Sequence, residues 1–109
     1  MDFEEYQKKA GKTAVYPDIG NNFVYPTLGL AGEAGEIANK VKKIVRDHGS
    51  VIKDQHREDI KSELGDVLWY VAQTAAEFKL SLDEIATANI EKLASRMQRD
   101  QIKGSGDTR

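Results

Sequence analysis

Several ingredients of common functional sites are missing from this sequence of 109 residues. It contains no cysteine, which excludes disulfides, zinc–thiolate sites, iron–sulfur clusters and a cysteine nucleophile. No apolar run approaches the roughly 18 residues of a membrane span, and the charged residues 1–10 are not predicted to be a secretion signal. The net charge is −2, so a nucleic-acid backbone is not the expected partner. We therefore expect a cytoplasmic protein that binds neither membranes nor nucleic acid.

Helix-breaking residues are also scarce beyond the first quarter of the chain. Both prolines, Pro17 and Pro26, lie there, and no strictly alternating apolar pattern favours strands. The sequence predicts one all-α domain over residues 1–103, similar to a four-helix bundle, with a flexible tail over residues 104–109. The predicted helices cover residues 2–13, 27–48, 54–79 and 81–99, with an irregular loop over residues 14–25.

Three helix ends have recognisable sequence signals. Asp2 is a suitable N-cap for the first helix, and Gly49 is a suitable stop for the second. Ser81 and Glu84 have the spacing of a capping box, which predicts the start of the fourth helix.

Two pairs of carboxylates lie beside the apolar stripes of the long second and third helices. Glu33 and Glu36 form one pair, and Glu63 and Asp66 form the other, each with a spacing of three residues. Antiparallel packing of the two helices would bring the four carboxylates together, where they would repel one another. A divalent cation removes this repulsion, and ligation by carboxylates alone favours magnesium, then manganese, then calcium.

Simpler interpretations of these acidic residues stay open. They can be solvated residues of a helix surface, with Glu36 paired to Lys40 one turn later. A di-iron centre with ExxH motifs does not fit. His48 precedes Gly49 in a predicted loop, and the residue three positions before His56 is a lysine.

The sequences GLAGEAGEI at residues 29–37 and ELGDVLWY at residues 63–70 resemble the motifs of MazG-type nucleoside triphosphate pyrophosphohydrolases. These enzymes belong to the all-α NTP pyrophosphatase superfamily, and their pattern is EExxE followed by a spacer and ExxD. Gly32 stands where the pattern begins with Glu, and the resemblance extends over about residues 26–96. It implies a MazG fold and four magnesium ligands, which are Glu33, Glu36, Glu63 and Asp66.

The resemblance also implies a reaction, in which water attacks the α-phosphorus of a nucleoside or deoxynucleoside triphosphate and releases pyrophosphate. Removal of non-standard nucleotides or control of dNTP pools is the implied purpose. The implied general base is Glu36 or Glu33, which the sequence does not separate. Two alternatives remain, namely a non-catalytic helical interaction domain and a MazG-like hydrolase of another diphosphate-linked substrate such as phosphoribosyl-ATP.

The fourth predicted helix has a polar residue within its apolar stripe. Asn89 lies near the middle of that stripe, and a buried amide without a partner costs about 1–3 kcal/mol. Lys92 and Arg96 follow along the border of the stripe, and the resemblance implies that all three bind the triphosphate and sugar. The alternative is that Asn89 caps a backbone group while Lys92 pairs with a surface acid.

The remaining substrate contacts are less well defined. Tyr70 follows Asp66 by one turn and can contact a sugar or phosphate, or else be a half-buried core residue. Polar and aromatic residues that could contact the base, without a motif to place them, are Gln7, Tyr16, Asn22, Phe23 and Tyr25.

Glycines at positions 29, 32 and 35 recur within the second predicted helix, at a cost of roughly 1 kcal/mol each relative to alanine. They are expected to make room for substrate or for a close helix neighbour.

The third predicted helix is apolar over half of its circumference, which indicates burial on two sides. The residues that extend its apolar surface are Gly65, Trp69, Ala72 and Ala76. We therefore predict a homo-oligomer, either a dimer or a tetramer. The alternative is that the first helix covers this surface within one chain.

Overall fold

The protein folds as four α-helices without a β-strand among the residues that the structure describes. This computed structural model describes the backbone of residues 1–103 and the side chains of residues 1–100. The helices are α1 (Phe3–Lys12), α2 (Val24–His48), α3 (Asp54–Glu77) and α4 (Leu82–Lys103). The predicted all-α fold is confirmed, and the predicted tail at residues 104–109 lies outside the described residues.

The three predicted helix ends have the expected local structure. The Oδ1 atom of Asp2 accepts a hydrogen bond of 2.8 Å from the backbone N–H of Glu5. Gly49 adopts a left-handed conformation with φ of 57° directly after α2. At the start of α4, the hydroxyl of Ser81 accepts a hydrogen bond of 3.2 Å from the N–H of Glu84.

The start of α2 differs from the prediction. The helix begins at Val24 and includes Pro26 in its first turn, whereas the sequence analysis began it at Thr27. Proline is tolerated at this position because the N–H groups of a first turn have no partner within the helix. Furthermore, α3 ends two residues earlier than predicted, and α4 continues to Lys103.

The two long helices form an antiparallel hairpin. His48 contacts His56 near the turn, the Lys40 side chain approaches Glu63 further along, and Tyr70 packs on α2 beyond that. In contrast, no Cα atom of α4 lies within 8 Å of a Cα atom of α2 among the described residues. Helix α4 packs instead against α1 and α3.

Helix α1 covers part of the α3 face that was predicted to form an oligomer interface, where Ala72 is buried but Gly65 and Ala76 remain exposed. Ala10 on α1, Ala72 on α3 and Leu82 on α4 form the centre of the core. Trp69 packs against this centre, and its indole N–H donates a hydrogen bond of 2.7 Å to the hydroxyl of Thr13. The alternative that α1 covers this surface is therefore the correct one for Trp69.

The side chain of Gln7 joins α1 to the connection between α3 and α4. Its amide N–H donates to the carbonyl of Leu80 at 3.0 Å, and its amide oxygen accepts from the N–H of Leu82 at 3.0 Å. Both ends of the Gln7 amide are therefore hydrogen-bonded within the fold, whereas the sequence had left open that this amide contacts a nucleobase.

The single chain is extended for its size. Its Cα radius of gyration is 17.2 Å, whereas a compact domain of this length has a radius of gyration of about 13 Å. None of the described helices has both the length and the hydropathy of a membrane span.

Candidate metal and nucleotide site

The α2–α3 hairpin brings together three of the four predicted carboxylates. Glu33 comes from α2, and Glu63 and Asp66 come from α3. Each offers one oxygen, and these three oxygens all lie within 4.8 Å of one another. The spacing of three residues places Glu63 and Asp66 on one face of α3, and antiparallel packing sets Glu33 opposite them.

The immediate surroundings of the cluster contain little positive charge. The ammonium of Lys40 lies 3.9 Å from Glu63 Oε1, too far for a hydrogen bond. The other oxygen, Glu63 Oε2, is buried and has no hydrogen-bond partner. A buried carboxylate oxygen without a donor is costly, so this donor set fits a hard divalent cation.

The crowding of negative charge affects Glu33. Burial, a hydrogen bond with Glu63 and the charges of Asp66, Glu63 and Glu36 all raise the pKa of Glu33. The metal-free cluster therefore favours protonation at this position, as expected where like charges meet.

Glu36 lies one turn after Glu33 on α2 and is exposed. It is near enough to influence Glu33 electrostatically, but it does not belong to the group of three converging carboxylates. Lys40, which could have paired with Glu36 on the same helix, approaches Glu63 on the neighbouring helix instead.

Gly29 explains how Tyr70 reaches the edge of the cluster. A Cβ atom at Gly29 would overlap the ring of Tyr70, whereas Gly32 and Gly35 face open space. The close approach expected for these glycines therefore occurs at Gly29 alone. Burial, the neighbouring Tyr25 and the charge of Glu33 raise the pKa of Tyr70, so that its hydroxyl stays protonated.

A feature that the sequence analysis missed is a carboxylate that binds the loop between α1 and α2. Glu77 accepts hydrogen bonds from the hydroxyl of Tyr16 and from the backbone N–H groups of Gly20 and Asn22. These bonds lower the pKa of Glu77. Helical spacing puts Glu77 on the polar side of α3, with Glu63 and Asp66, but it does not indicate partners 55 to 61 positions away.

The predicted substrate residues of α4 do not meet the acidic cluster within one chain. Asn89 and Lys92 are exposed, so the argument from a buried amide does not apply to Asn89 in a single protomer. Arg96 is half-buried, and its Nε atom has no hydrogen-bond partner. Because α4 and α2 do not approach within the described residues, these side chains stand apart from Glu33.

Comparisons with known families and sequences give matches over most of the chain. The model of the MazG nucleotide pyrophosphohydrolase domain matches residues 26–99. The chain is 49% identical over its full length to Gene 37 protein of Mycobacterium phage L5, which is also covered in full. It is 30% identical to the uncharacterized protein YvdC of Bacillus subtilis (strain 168), with 87% of this chain and 89% of YvdC covered. No solved structure matches the chain.

The matched segment includes both acidic pairs and the hairpin that joins them, together with most of α4. Metal dependence is general in the matched family, and the carboxylates that converge here could bind a metal. The chain belongs to the MazG nucleotide pyrophosphohydrolase family.

Proposed function

We propose that the protein hydrolyses a nucleoside or deoxynucleoside triphosphate to the monophosphate and pyrophosphate, with Mg²⁺ as the cofactor. The observation that carries this proposal is the convergence of Glu33, Glu63 and Asp66 within a MazG domain. Three carboxylates from two helices form a suitable donor set for Mg²⁺, which commonly keeps open positions for phosphate oxygens.

The three converging carboxylates are the proposed metal ligands. Mg²⁺, or Mn²⁺ in its place, supplies positive charge that offsets the charge developing on the phosphate oxygens. Glu63 contributes the buried oxygen that lacks a partner. Lys40, 3.9 Å from the other oxygen of Glu63, partly offsets the negative charge of that carboxylate.

Glu36 is the proposed general base, and Glu33 is the alternative. Glu36 is exposed and stands outside the group of three, so its carboxylate is available to a water molecule. It accepts a proton from that water as the oxygen attacks the α-phosphorus, and pyrophosphate leaves with the electrons of the broken P–O bond.

Asn89, Lys92, Arg96 and Tyr70 are the proposed substrate ligands. Tyr70 already borders Glu33. The three residues of α4 stand apart from the cluster in one chain, so we infer that a second copy of the chain brings its α4 to the site. A homo-oligomer then completes the phosphate-binding surface with amide and basic groups.

A panel of NTPs and dNTPs with Mg²⁺, assayed for pyrophosphate and orthophosphate, tests the reaction. We expect pyrophosphate from at least one member and none after EDTA is added. If no member of the panel yields pyrophosphate, the interaction-domain interpretation gains support, and phosphoribosyl-ATP becomes the next substrate to assay. Release of orthophosphate alone would contradict attack at the α-phosphorus.

Metal binding and proton transfer can be separated by two matched variants. Glu33→Gln removes a proposed ligand and should weaken Mn²⁺ binding in calorimetry as well as abolish turnover. Glu36→Gln should abolish turnover but retain Mn²⁺ affinity. Equal loss of Mn²⁺ affinity in both variants would place Glu36 among the ligands and transfer the role of general base to another group.

A further inference from the structure

An exposed aromatic ring lies next to the candidate metal site. Tyr25 stacks on Tyr16 with ring centroids 4.8 Å apart and an angle of 13° between the ring planes. Tyr16 is only 6% exposed, whereas Tyr25 is 45% exposed. Tyr16 covers one face of the Tyr25 ring, and no other aromatic ring stacks on Tyr25 among the described residues, so the opposite face is the one that a planar ligand could use.

Tyr25 is separated from the acidic cluster by one side chain. Tyr25, Gly29 and Glu33 follow one another at intervals of four residues along one face of α2, and the ring of Tyr70 packs against Gly29. Tyr70 therefore lies between Tyr25 and Glu33, and both of these residues raise its pKa. In a nucleoside triphosphate, one sugar separates the base from the α-phosphate. The order cluster, Tyr70, Tyr25 therefore parallels the order phosphate, sugar, base.

The ring of Tyr16 that supports Tyr25 is itself fixed from two sides. Its hydroxyl donates to Glu77 at 2.5 Å and accepts a bond of 3.2 Å from the amide of Gln73. Gln73 is a polar residue that is 98% buried, with 2% of its surface exposed. Burial of a polar side chain costs free energy, and the hydrogen bonds with Glu77 and Gln73 hold the Tyr16 ring beneath Tyr25.

Glu77 also fastens the loop that carries Tyr16. Its Oε2 atom accepts from the N–H of Gly20 at 2.9 Å, and its Oε1 atom accepts from the N–H of Asn22 at 2.9 Å. Asn22 in turn binds Tyr25, since its side-chain oxygen accepts a hydrogen bond of 3.1 Å from the N–H of Tyr25. Glu77 is thus linked to Tyr25 through both the ring of Tyr16 and the backbone of the loop.

We propose that the open face of Tyr25 stacks on the nucleobase of the substrate, and that Glu77 is a positioning residue that holds Tyr25 in place through the loop at residues 14–23. This inference rests on the proposed function, since it assigns the base of the nucleoside triphosphate to a surface beside the phosphate site. Every base has a π-face, so stacking provides affinity with little selectivity among bases.

The first test uses two ligands that each contain three linked phosphorus groups, of which only one carries a nucleoside. They are an α,β-methylene nucleoside triphosphate, which resists cleavage at the α-phosphorus, and inorganic tripolyphosphate, both with Mg²⁺. Tyr25→Leu removes the ring and should weaken binding of the nucleotide analogue about tenfold, while tripolyphosphate affinity stays unchanged. Tyr25→Phe keeps the ring and should retain the affinity for the analogue.

The second test concerns Glu77. A glutamine at this position cannot accept all three hydrogen bonds, because one carboxylate oxygen becomes an N–H donor. Glu77→Gln should therefore raise KM for the nucleotide several-fold without a change in kcat, and should leave tripolyphosphate affinity intact. Glu58→Gln, an exposed acid on the same helix, is the matched control and should change none of these values.

The outcomes separate this inference from the proposed function. If the wild type binds the analogue and Tyr25→Leu binds it equally well, the stacking role is wrong while the proposed function stands. If Glu77→Gln weakens the binding of the analogue and of tripolyphosphate by the same factor, Glu77 supports the fold in general and does not position Tyr25. A wild type that binds neither ligand would overturn the proposed function as well.

Discussion

At the scale of single residues, Gly29 has the clearest physical reason for its identity. The Tyr70 ring occupies the space of a Cβ atom at this position, whereas the space beside Gly32 is open. Gly29→Ala should therefore destabilise the protein by about 1–3 kcal/mol, the usual cost of overpacking. Gly32→Ala should stabilise it by about 0.5–1 kcal/mol, because alanine favours the helix. Urea unfolding of both variants measures the difference, and equal stability of the two would contradict the close contact with Tyr70.

Glu33 provides a second prediction at this scale. Its pKa is raised in the folded protein by burial and by its acidic neighbours, so the folded state binds this proton more tightly than the unfolded state does. Stability that is present at low pH is therefore lost as the pH rises through the raised pKa. In EDTA, Glu33→Gln should raise the unfolding free energy at pH 7 and change it little at pH 4.

The control for this prediction is Glu58→Gln, which removes an exposed charge from α3. Unfolding free energies at both pH values should be nearly the same for Glu58→Gln and the wild type. A wild-type pH dependence that persists in Glu33→Gln would assign the effect to another carboxylate.

At the scale of helices, the sequence was informative where the determinants are local. The cap at Asp2 and the stop at Gly49 depend on neighbouring residues, and both were predicted correctly. The predicted start of α2 at Thr27 is three residues too late, because proline breaks a helix interior but not a first turn, where no N–H is required. The positions of Glu33, Glu63 and Asp66 beside the apolar stripes of their helices were also sufficient to predict that these carboxylates converge.

Long-range contacts were beyond the reach of sequence patterns. Helical periodicity puts Gln73 on the polar side of α3, with Glu63 and Asp66. It is nevertheless buried beneath the loop between α1 and α2, where it donates to Tyr16. Glu77 lies on the same side of α3 and binds the same loop. Helical periodicity assigns a residue to a face but does not say which segment covers that face, so this polar network had no signal in the sequence.

The end of α2 provides a prediction at the same scale. Gly49 has a φ of 57°, a conformation that costs roughly 1–2 kcal/mol for a residue with a Cβ atom. Gly49→Ala should therefore lower the unfolding free energy by about 1 kcal/mol, whereas Gly35→Ala, in the open interior of α2, should raise it. Thermal unfolding of both variants checks the contrast, and a Gly49→Ala protein as stable as Gly35→Ala would refute it.

At the scale of the whole molecule, two of the apolar surfaces formed by the described residues stay uncovered in the single chain. One is a groove of about 650 Å³ between the end of α2 and the start of α3, lined by residues that include Val41, Val45 and Leu64. The other is a stripe along α4 that includes Leu93 and Met97, which are 42% and 67% exposed. Exposed apolar surfaces are typical of protein interfaces. We therefore still predict a homo-oligomer, although Trp69 is covered within the chain and does not contribute to its interface.

Because Trp69 contributes to the core of one chain, Trp69→Glu would unfold the protein whether or not it assembles. Leu93→Glu is the better variant, since it places a charge in the exposed stripe of α4. Gln98→Glu is its control, because Gln98 is exposed on the opposite side of the same helix, away from Asn89 and Lys92. We expect gel filtration with light scattering to give the wild type and Gln98→Glu about two or four times the chain mass of 12.1 kDa. Leu93→Glu should shift towards 12.1 kDa with its helix content retained, because a buried charge opposes assembly. A wild-type mass of 12.1 kDa at micromolar concentration would refute the oligomer, and with it the proposal that a second chain brings Asn89 and Lys92 to the acidic cluster.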